Sequence, residues 1–324
     1  MRVLASFSAT DILAHAFTSP ARDGAAVPDP AARFPLGEEP QRVAVASGLD
    51  RAAYTTDHDL VGVDADGTVA WRLSLDAPPA SEHYMSGRSS IAFSADGSLL
   101  WLYRPDLAWH GPGRTDSLHA VDAATGEVLA GARLRSIGHG AEVRPHPDHG
   151  HVLVGVGEGQ DGGATFHARL DGDALVVTPY PLTGYFQDLS PDGRMFSVSD
   201  HDEVTFHAFP SGEPVSRVGV GAFGYDEERF ETLFVGQTGA DFLDERTAVV
   251  AVTGEAVAPE DGGPYVQDFH ENHAVDAATG RVLGPLPEPS RHAERLTVLG
   301  DGSWTGPDAS GRDTRFTWSA PQPD

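Results

Sequence analysis

The sequence predicts an all-β chain built from repeated four-stranded antiparallel meanders. Three observations carry that expectation. The 324 residues include 37 Gly and 24 Pro, and no long stretch shows the 3.6-residue apolar period of a helix, so short strands joined by turns must account for the chain. One phrase is written twice, "VDAATGEVL" at 121–129 and "VDAATGRVL" at 275–283. Finally, Asp-Gly turns alternate with Thr-Gly or further Asp-Gly turns in a constant order, which is how a repeat of one supersecondary unit reads.

Each unit can be justified strand by strand. "IAFSADGSLLWLY" (91–103) and "FQDLSPDGRMFSVS" (186–199) place Asp96-Gly97 and Asp192-Gly193 between two apolar runs, the signal of a tight hairpin. In "SLHAVDAATGEVLAGARL" the residues Leu118, Ala120 and Asp122 alternate with His119 and Val121, as a half-buried strand requires. Ala-Thr-Gly then supplies a turn, with Gly126 at the position that calls for positive φ, and Val128 and Leu129 begin the returning strand. First strands are expected at 43–46, 91–94, 143–146, 186–190, 240–243 and 296–299, and third strands at 60–64, 117–122, 164–169, 203–209, 270–276 and 313–318.

The sixth unit has only three strands before the chain ends, and the apolar stretch "RVLASF" (2–7) is the expected donor of the missing fourth. A ring closed in this way leaves no open sheet edge at its seam. The expectation is a single β-propeller over 1–324: a closing strand and lead-in over 1–40, six blades over 41–318, and a tail over 319–324. Seven blades result if 8–40 counts as a degenerate blade.

"SPDGRMFSVSDHDEVTFHAF" resembles a WD-repeat blade, and "VDADGTVAW" with "VDAATGEVL" resembles blades of quinoprotein-like and YVTN-type bacterial propellers. The resemblance spans roughly 41–318 and implies architecture. The Gly-His and Trp-Asp pairs of WD repeats do not recur here, and only Trp71 stands where the tryptophan docking of quinoprotein enzymes places one. A quinone cofactor is therefore not implied, and fold alone assigns no function.

Composition narrows the chemistry. A formal net charge of −26 repels phosphate backbones, so nucleic acid is not an expected partner. With no cysteine, thiolate nucleophiles, disulfides and cysteine-ligated metals are excluded. All 22 basic residues are arginine, which excludes a lysine Schiff base. Asn272 is the only asparagine; the Lys- and Asn-poor usage resembles a high-GC genome such as an actinobacterium. No apolar run reaches the roughly 18–20 residues of a bilayer span, and "MRVLASFSATDILAHAF" lacks a secretory apolar core, so the cytoplasm is the expected compartment and no membrane partner is expected.

In a propeller, second-to-third-strand loops and blade-to-blade loops open on one face. Here those loops are long ("RPDLAWHGPGRTD", "TGEAVAPEDGGPYVQDF", "LDAPPASEHYMSGR", "GAFGYDEERFETLFVGQ"), whereas the opposite turns are short, so the looped face is the expected binding face for a protein or a small molecule. Residues just before and within the first strands should rim the channel there: His83, Arg88, His139, Glu142, Tyr185, Gln187, Asp188, Gln237, Asp241, His292, Glu294 and Arg295, with Trp109, Tyr84, Tyr225, Tyr265 and Arg114 as interface anchors. No cofactor is predicted, although His83, His139 and His292 are the imidazoles that could hold a divalent metal. Two functions remain open: a non-catalytic binding propeller, or a hydrolase, lyase or isomerase in which His139, Glu142, His292 or Glu294 supplies acid–base chemistry or a metal-bound water. "DHD" (57–59 and 200–202) reads as turn chemistry. "GVGAFG" (219–224) lacks the βαβ context of a dinucleotide site. His149 reads as a turn residue, and His270 and His273 stand on opposite faces of one strand.

Overall fold

The computed structural model describes residues 2–18, 20–75, 88–105, 115–138, 140–159, 162–256 and 267–319. They form two compact units: Met1–Thr18 with Pro28–Tyr185, and Ser19–Val27 with Phe186–Asp324.

The chain opens with β1 (Arg2–Phe7), β2 (Asp11–Phe17), β3 (Ala25–Ala26) and β4 (Ala32–Pro35), of which β1, β2 and β4 make a three-stranded sheet in the first unit. Three four-stranded antiparallel sheets follow in the same unit, each in simple meander order. The second sheet comprises β5 (Arg42–Val45), β6 (Arg51–Thr55), β7 (Asp59–Asp64) and β8 (Val69–Ser74). The third comprises β9 (Ser90–Phe93), β10 (Leu99–Arg104), β11 (Ser117–Asp122) and β12 (Val128–Arg133). The fourth comprises β13 (Ala141–Pro145), β14 (His151–Gly157), β15 (Gly163–Asp171) and β16 (Ala174–Pro179).

The second unit holds the remaining three sheets. The fifth is β17 (Tyr185–Leu189), β18 (Met195–Ser199), β19 (Glu203–Ala208) and β20 (Pro214–Gly219). The sixth is β21 (Phe230–Phe242), β22 (Thr247–Ala256), β23 (Gln267–Asp276) and β24 (Arg281–Pro285). The seventh joins β25 (Thr297–Val298), β26 (Ser303–Pro307) and β27 (Asp313–Thr317) to the early strand β3.

The blade count is therefore the seven-blade alternative and not the preferred six: the described residues form seven sheets, with 11–35 contributing to an extra one, and residues 2–7 do not complete the last. Arg2–Phe7 pairs along its whole length with Asp11–Phe17 instead, because Ser8 Oγ accepts the amides of Thr10 (3.3 Å) and Asp11 (3.2 Å) and closes a hairpin. Ile12, Ala14 and Phe34 of that sheet then bury against Tyr54 and Val61 of the second. An N-terminal strand does complete the last sheet, but it is Ala25–Ala26, paired with Thr314 and Arg315. Two residues carry no readable alternation, which is why the sequence does not announce them.

Inner strands are buried on both faces and read as continuous apolar runs, as in β10, where Leu100, Trp101, Leu102 and Tyr103 are all at most 1% exposed. Leu100 and Leu102 face the second sheet, whereas Trp101 and Tyr103 face the fourth. In the second unit, Phe206 and Phe242 meet edge-on between the fifth and sixth sheets, and Trp304 fills the space between the sixth and seventh.

Turn chemistry recurs as the sequence predicts. Ser94 Oγ donates to Asp96 Oδ1 (2.7 Å) and accepts Leu99 N–H (2.9 Å); Ser190 and Asp192 repeat this with Met195. The Ser94 hydroxyl and the Ser98 amide hold the Asp96 carboxyl down at about 2. In "VDAATGEVL", Asp122 Oδ1 accepts the amides of Ala124 and Thr125, and Gly126 has φ +75°. The Trp71 indole lies flat against Gly126, closes over Gly62 of its own sheet, and donates Nε1–H to Ala123 O (3.1 Å). In the second copy, Ser216 Oγ donates to Ala277 O (2.6 Å) and Gly280, at φ +69°, is pressed against the Arg217 backbone.

Trp71→Ala should therefore cost about 3 kcal/mol in urea unfolding, through lost packing and a lost hydrogen bond. Gly126→Ala should cost clearly more than Gly172→Ala. Both positions have positive φ, worth about 1 kcal/mol to an L residue, but only Gly126 has an indole where the methyl must go.

Candidate functional site

Two of the expected rim residues, Asp241 and Glu294, meet where the sixth and seventh sheets adjoin. β21 shifts register between Val235 and Ala240, so residues 236–239 bulge out, with Gly236 at φ +71°. The bulge brings Thr238, Gly239 and Asp241 beside Val249 and Ala251 of β22, His270 and Asn272 of β23, and Glu294, Leu296 and Val298 leading into β25. These residues line a polar cavity of about 40 Å³, room for a group the size of one or two waters.

Most polar groups around it are already committed. Asn272, 4% exposed, donates from Nδ2 to Ser290 O (3.0 Å) and Ala293 O (2.9 Å), and His270 Nε2 reaches its Oδ1 at 3.3 Å. His292 donates Nδ1–H to His270 O (2.9 Å), which leaves Nε2 3.6 Å from Glu288. Thr253 Oγ1 donates to Gln237 Oε1 (3.2 Å). Glu294 and Arg295 remain exposed.

The other predicted rim residues have local tasks. Asp188 Oδ2 accepts Phe242 N–H (2.9 Å), joining the first strands of the fifth and sixth sheets, and Gln187 donates to Ser199 Oγ (2.6 Å). In the first unit, Tyr185 donates to Gly159 O (2.6 Å), Glu142 pairs with Arg144, and Arg88 is exposed just ahead of β9. His83, Tyr84, Trp109, Arg114, His139 and Tyr265 lie outside the described residues. Among the described residues, no three or more His, Asp or Glu side chains gather as a metal ion would require, and no helix is long and apolar enough to cross a membrane.

No family model matches the chain, and no curated relative does. Solved structures do. The C-terminal WD40 domain of Sif2 superposes with a TM-score of 0.57 at 8% identity, over 98% of this chain and 81% of that one. The hydrazine synthase of Kuenenia stuttgartiensis gives 0.51 at 15% identity, over 82% and 72%. BamB from Moraxella catarrhalis gives 0.49 at 12%, over 100% and 98%. The fold is a β-propeller. At these identities the likeness extends to the fold and no further.

Two polar clusters of this propeller were not anticipated from sequence. On β23, Glu271 is 2% exposed and accepts hydrogen bonds from Tyr225 Oη and Arg291 Nε, while His273 Nε2–H donates to Tyr225 Oη (2.6 Å). Burial pulls the Glu271 carboxyl upward, but Tyr225 and Arg291 outweigh it and leave the group below its ordinary value. Burial, then the Glu271 hydrogen bond, pushes the Tyr225 phenol up. Burial pulls the His273 imidazole down against the attraction of Glu271, and its Nδ1 is buried without a partner. Phe223, Phe230 and Phe269 wall the group in. The arrangement ties the segments before β21 and after β24 to one strand. The "GVGAFG" stretch lies in the first of these, as a short 3₁₀ turn over Val220–Phe223 ended by Gly224 in the left-handed region. A legible signal did exist: Glu271 and His273 share one face of β23 at i, i+2.

In the first unit, His151 Nδ1 lies 2.6 Å from His167 Nε2 with the rings stacked, and Asp148 stands beside His146 (2.9 Å) and His151 (3.8 Å). A bond between two imidazoles needs both neutral or one charged. Burial, reinforced by His151, holds His167 down at about 4, and burial lowers His151 as well. His149 takes φ +71° in the turn, as its sequence position suggests, and the strand register brings His167 beside His151.

Two expectations follow. Asn272→Ala removes the side-chain donor to Ser290 O and Ala293 O and should cost about 1–3 kcal/mol by denaturant unfolding. For His167 the folded value lies below the ordinary 6.5, so the unfolded chain takes up a proton that the folded sheet refuses as pH falls from 6.5 to about 4. Stability should drop across that window, and His167→Gln should flatten the drop in a pH series of urea midpoints. A wild-type midpoint that stays level from pH 6.5 to 4 contradicts a neutral, buried His167.

Proposed function

We propose that this propeller is a non-catalytic binding module that recognises a protein or small-molecule partner through its long-loop face and the mouth beside the first strands. The observation that supports this reading is the sixth–seventh sheet cavity. It is polar, it takes only a water-sized group, and its His and Asn side chains are used to hold loop carbonyls in place. A general base must reach a bound substrate, and a substrate cleft is typically some 300–1,000 Å³. Exposed carboxylates such as Glu294 at a rigid, pre-shaped surface suit recognition instead.

The test is affinity capture of the full chain from its own cells, wild type against the double variant Asp241→Asn, Glu294→Arg. The expected result is a discrete partner or ligand recovered by wild type and reduced about tenfold with the variant, the loss of one to two kcal/mol of contact energy. Identical recovery from both proteins, with nothing enriched over a blank resin, overturns the reading.

A further inference from the structure

β21 is longer than the first strand of any other sheet, and its N-terminal half, Phe230–Phe234, is an open edge. The strand occupies the outer position in the order β21-β22-β23-β24, so among the described residues no strand pairs with Phe230–Phe234 on the side away from β22. One rung of such a pairing is present: His201 and Val235 form an isolated antiparallel bridge, in which Val235 N–H donates to His201 O at 2.7 Å. The bridge stops there for a physical reason. His201 has φ +82°, a conformation rare outside glycine, and Asp200 Oδ1 accepts the amides of Asp202 and Glu203, so the chain turns away after one residue. Backbone direction alternates along a strand, so Leu233, two residues before Val235, presents its N–H and C=O to the same open side.

Beside that edge runs a groove of about 400 Å³ lined by Asp202, Val220, Phe230, Glu231, Thr232 and Leu233. Its volume falls within the ligand-cleft range of about 300–1,000 Å³. Val220 and Leu233, which pack on the sheet core, and Phe230, which packs on Tyr225 and Phe269, give it an apolar floor, and Asp202 and Glu231 are exposed carboxylates at its rim. Asp226 and Glu228 are exposed just ahead of it, with Arg229 as the one cation in that stretch and His201 at the far end. The edge is also held rigidly. Phe230 packs edge-on against Tyr225 and Phe269, and Gly254 of β22 lets the Thr232 carbonyl approach so closely that no side chain could stand there.

We infer that this edge takes an extended peptide segment of a partner as an added antiparallel strand, with arginine or lysine side chains set against Asp202 and Glu231 and alternate apolar side chains on Phe230 and Leu233. This inference rests on the binding reading above and names the partner chemistry and surface it would use. Strand addition draws its affinity from main-chain hydrogen bonds and its selectivity from alternate side chains. An isolated open edge with an apolar floor is otherwise a liability, which proteins blunt with charge or cover. A chain of net charge −26 attracts a cationic segment before contact, so association should weaken with salt.

The experiment uses the full chain and a capped octapeptide, (Arg-Val)₄, measured by calorimetric titration and by amide hydrogen exchange. Three comparisons accompany it: (Glu-Val)₄; an (Arg-Val)₄ with every second amide N-methylated; and the protein variant Asp202→Lys, Glu231→Lys. The expected result is saturable binding of (Arg-Val)₄ with slowed exchange at Leu233, about tenfold weaker binding by the charge-reversed protein, and no binding of the other two peptides. Equal binding of the N-methylated peptide means charge alone is recognised and overturns strand addition. Binding without protection at Leu233, or undiminished binding by the variant, places the peptide elsewhere and overturns the site. If (Arg-Val)₄ fails to bind while the Asp241, Glu294 variant still loses a captured partner, the edge site is wrong and the binding function stands.

Discussion

The contact on which the architecture depends is the seating of one sheet's outer strand on the Asp-Ala-Ala-Thr-Gly turn of the next. In the first unit the Trp71 indole covers Gly126 and donates to Ala123 O; in the second, Ser216 donates to Ala277 O while Gly280 closes on the Arg217 backbone. The two contacts use different donors and meet the same receiver. The receiver is constrained three ways at once: an aspartate must accept the turn amides, a glycine must take positive φ, and an unshielded carbonyl must face the neighbour. That triple constraint explains why the phrase recurs almost unchanged, whereas the strands that seat on it do not resemble one another.

Between the seats, the sheets are held by apolar side chains that point alternately to the two neighbours, so each inner strand is shared property of two interfaces. Loops then need their own restraints, because they lack a core of their own. Asn272 and the Tyr225–Glu271–His273–Arg291 group provide these in the sixth sheet: each takes a buried position on β23 and reaches outward to fix an adjoining segment. Burying these polar groups is unfavourable unless every donor finds an acceptor, so they hold geometry more than they add stability. They hold the segments that border the cavity beside Asp241 and the edge at Phe230–Phe234.

This division of labour bears on function. Of the acid–base candidates among the described residues, His292 holds the His270 carbonyl and Glu142 pairs with Arg144, while Glu294, like Asp202 and Glu231, stands at an exposed acidic surface. Exposed carboxylates of this kind suit the binding function proposed above, with charge governing the approach of a partner and local shape its fit.

Sequence alone determined the repeat: turn positions, hairpins and the strand order within five of the sheets are local matters, written in Asp-Gly, Thr-Gly and period-two alternation. It also singled out Trp71 as a docking residue and Asn272 as compositionally unique. Only the tertiary structure decided the rest. Arg2–Phe7 is as apolar as a closing strand should be, yet it forms a hairpin with its own neighbour, while the two-residue Ala25–Ala26 completes the last sheet through backbone pairing that no side-chain pattern encodes. His151 meets His167, and Glu271 meets Tyr225 across 46 residues, because register and sheet-to-sheet packing bring distant side chains together. A turn depends on four consecutive residues and is legible in them; a site depends on which strands stand side by side, and that is settled only when the whole core is packed.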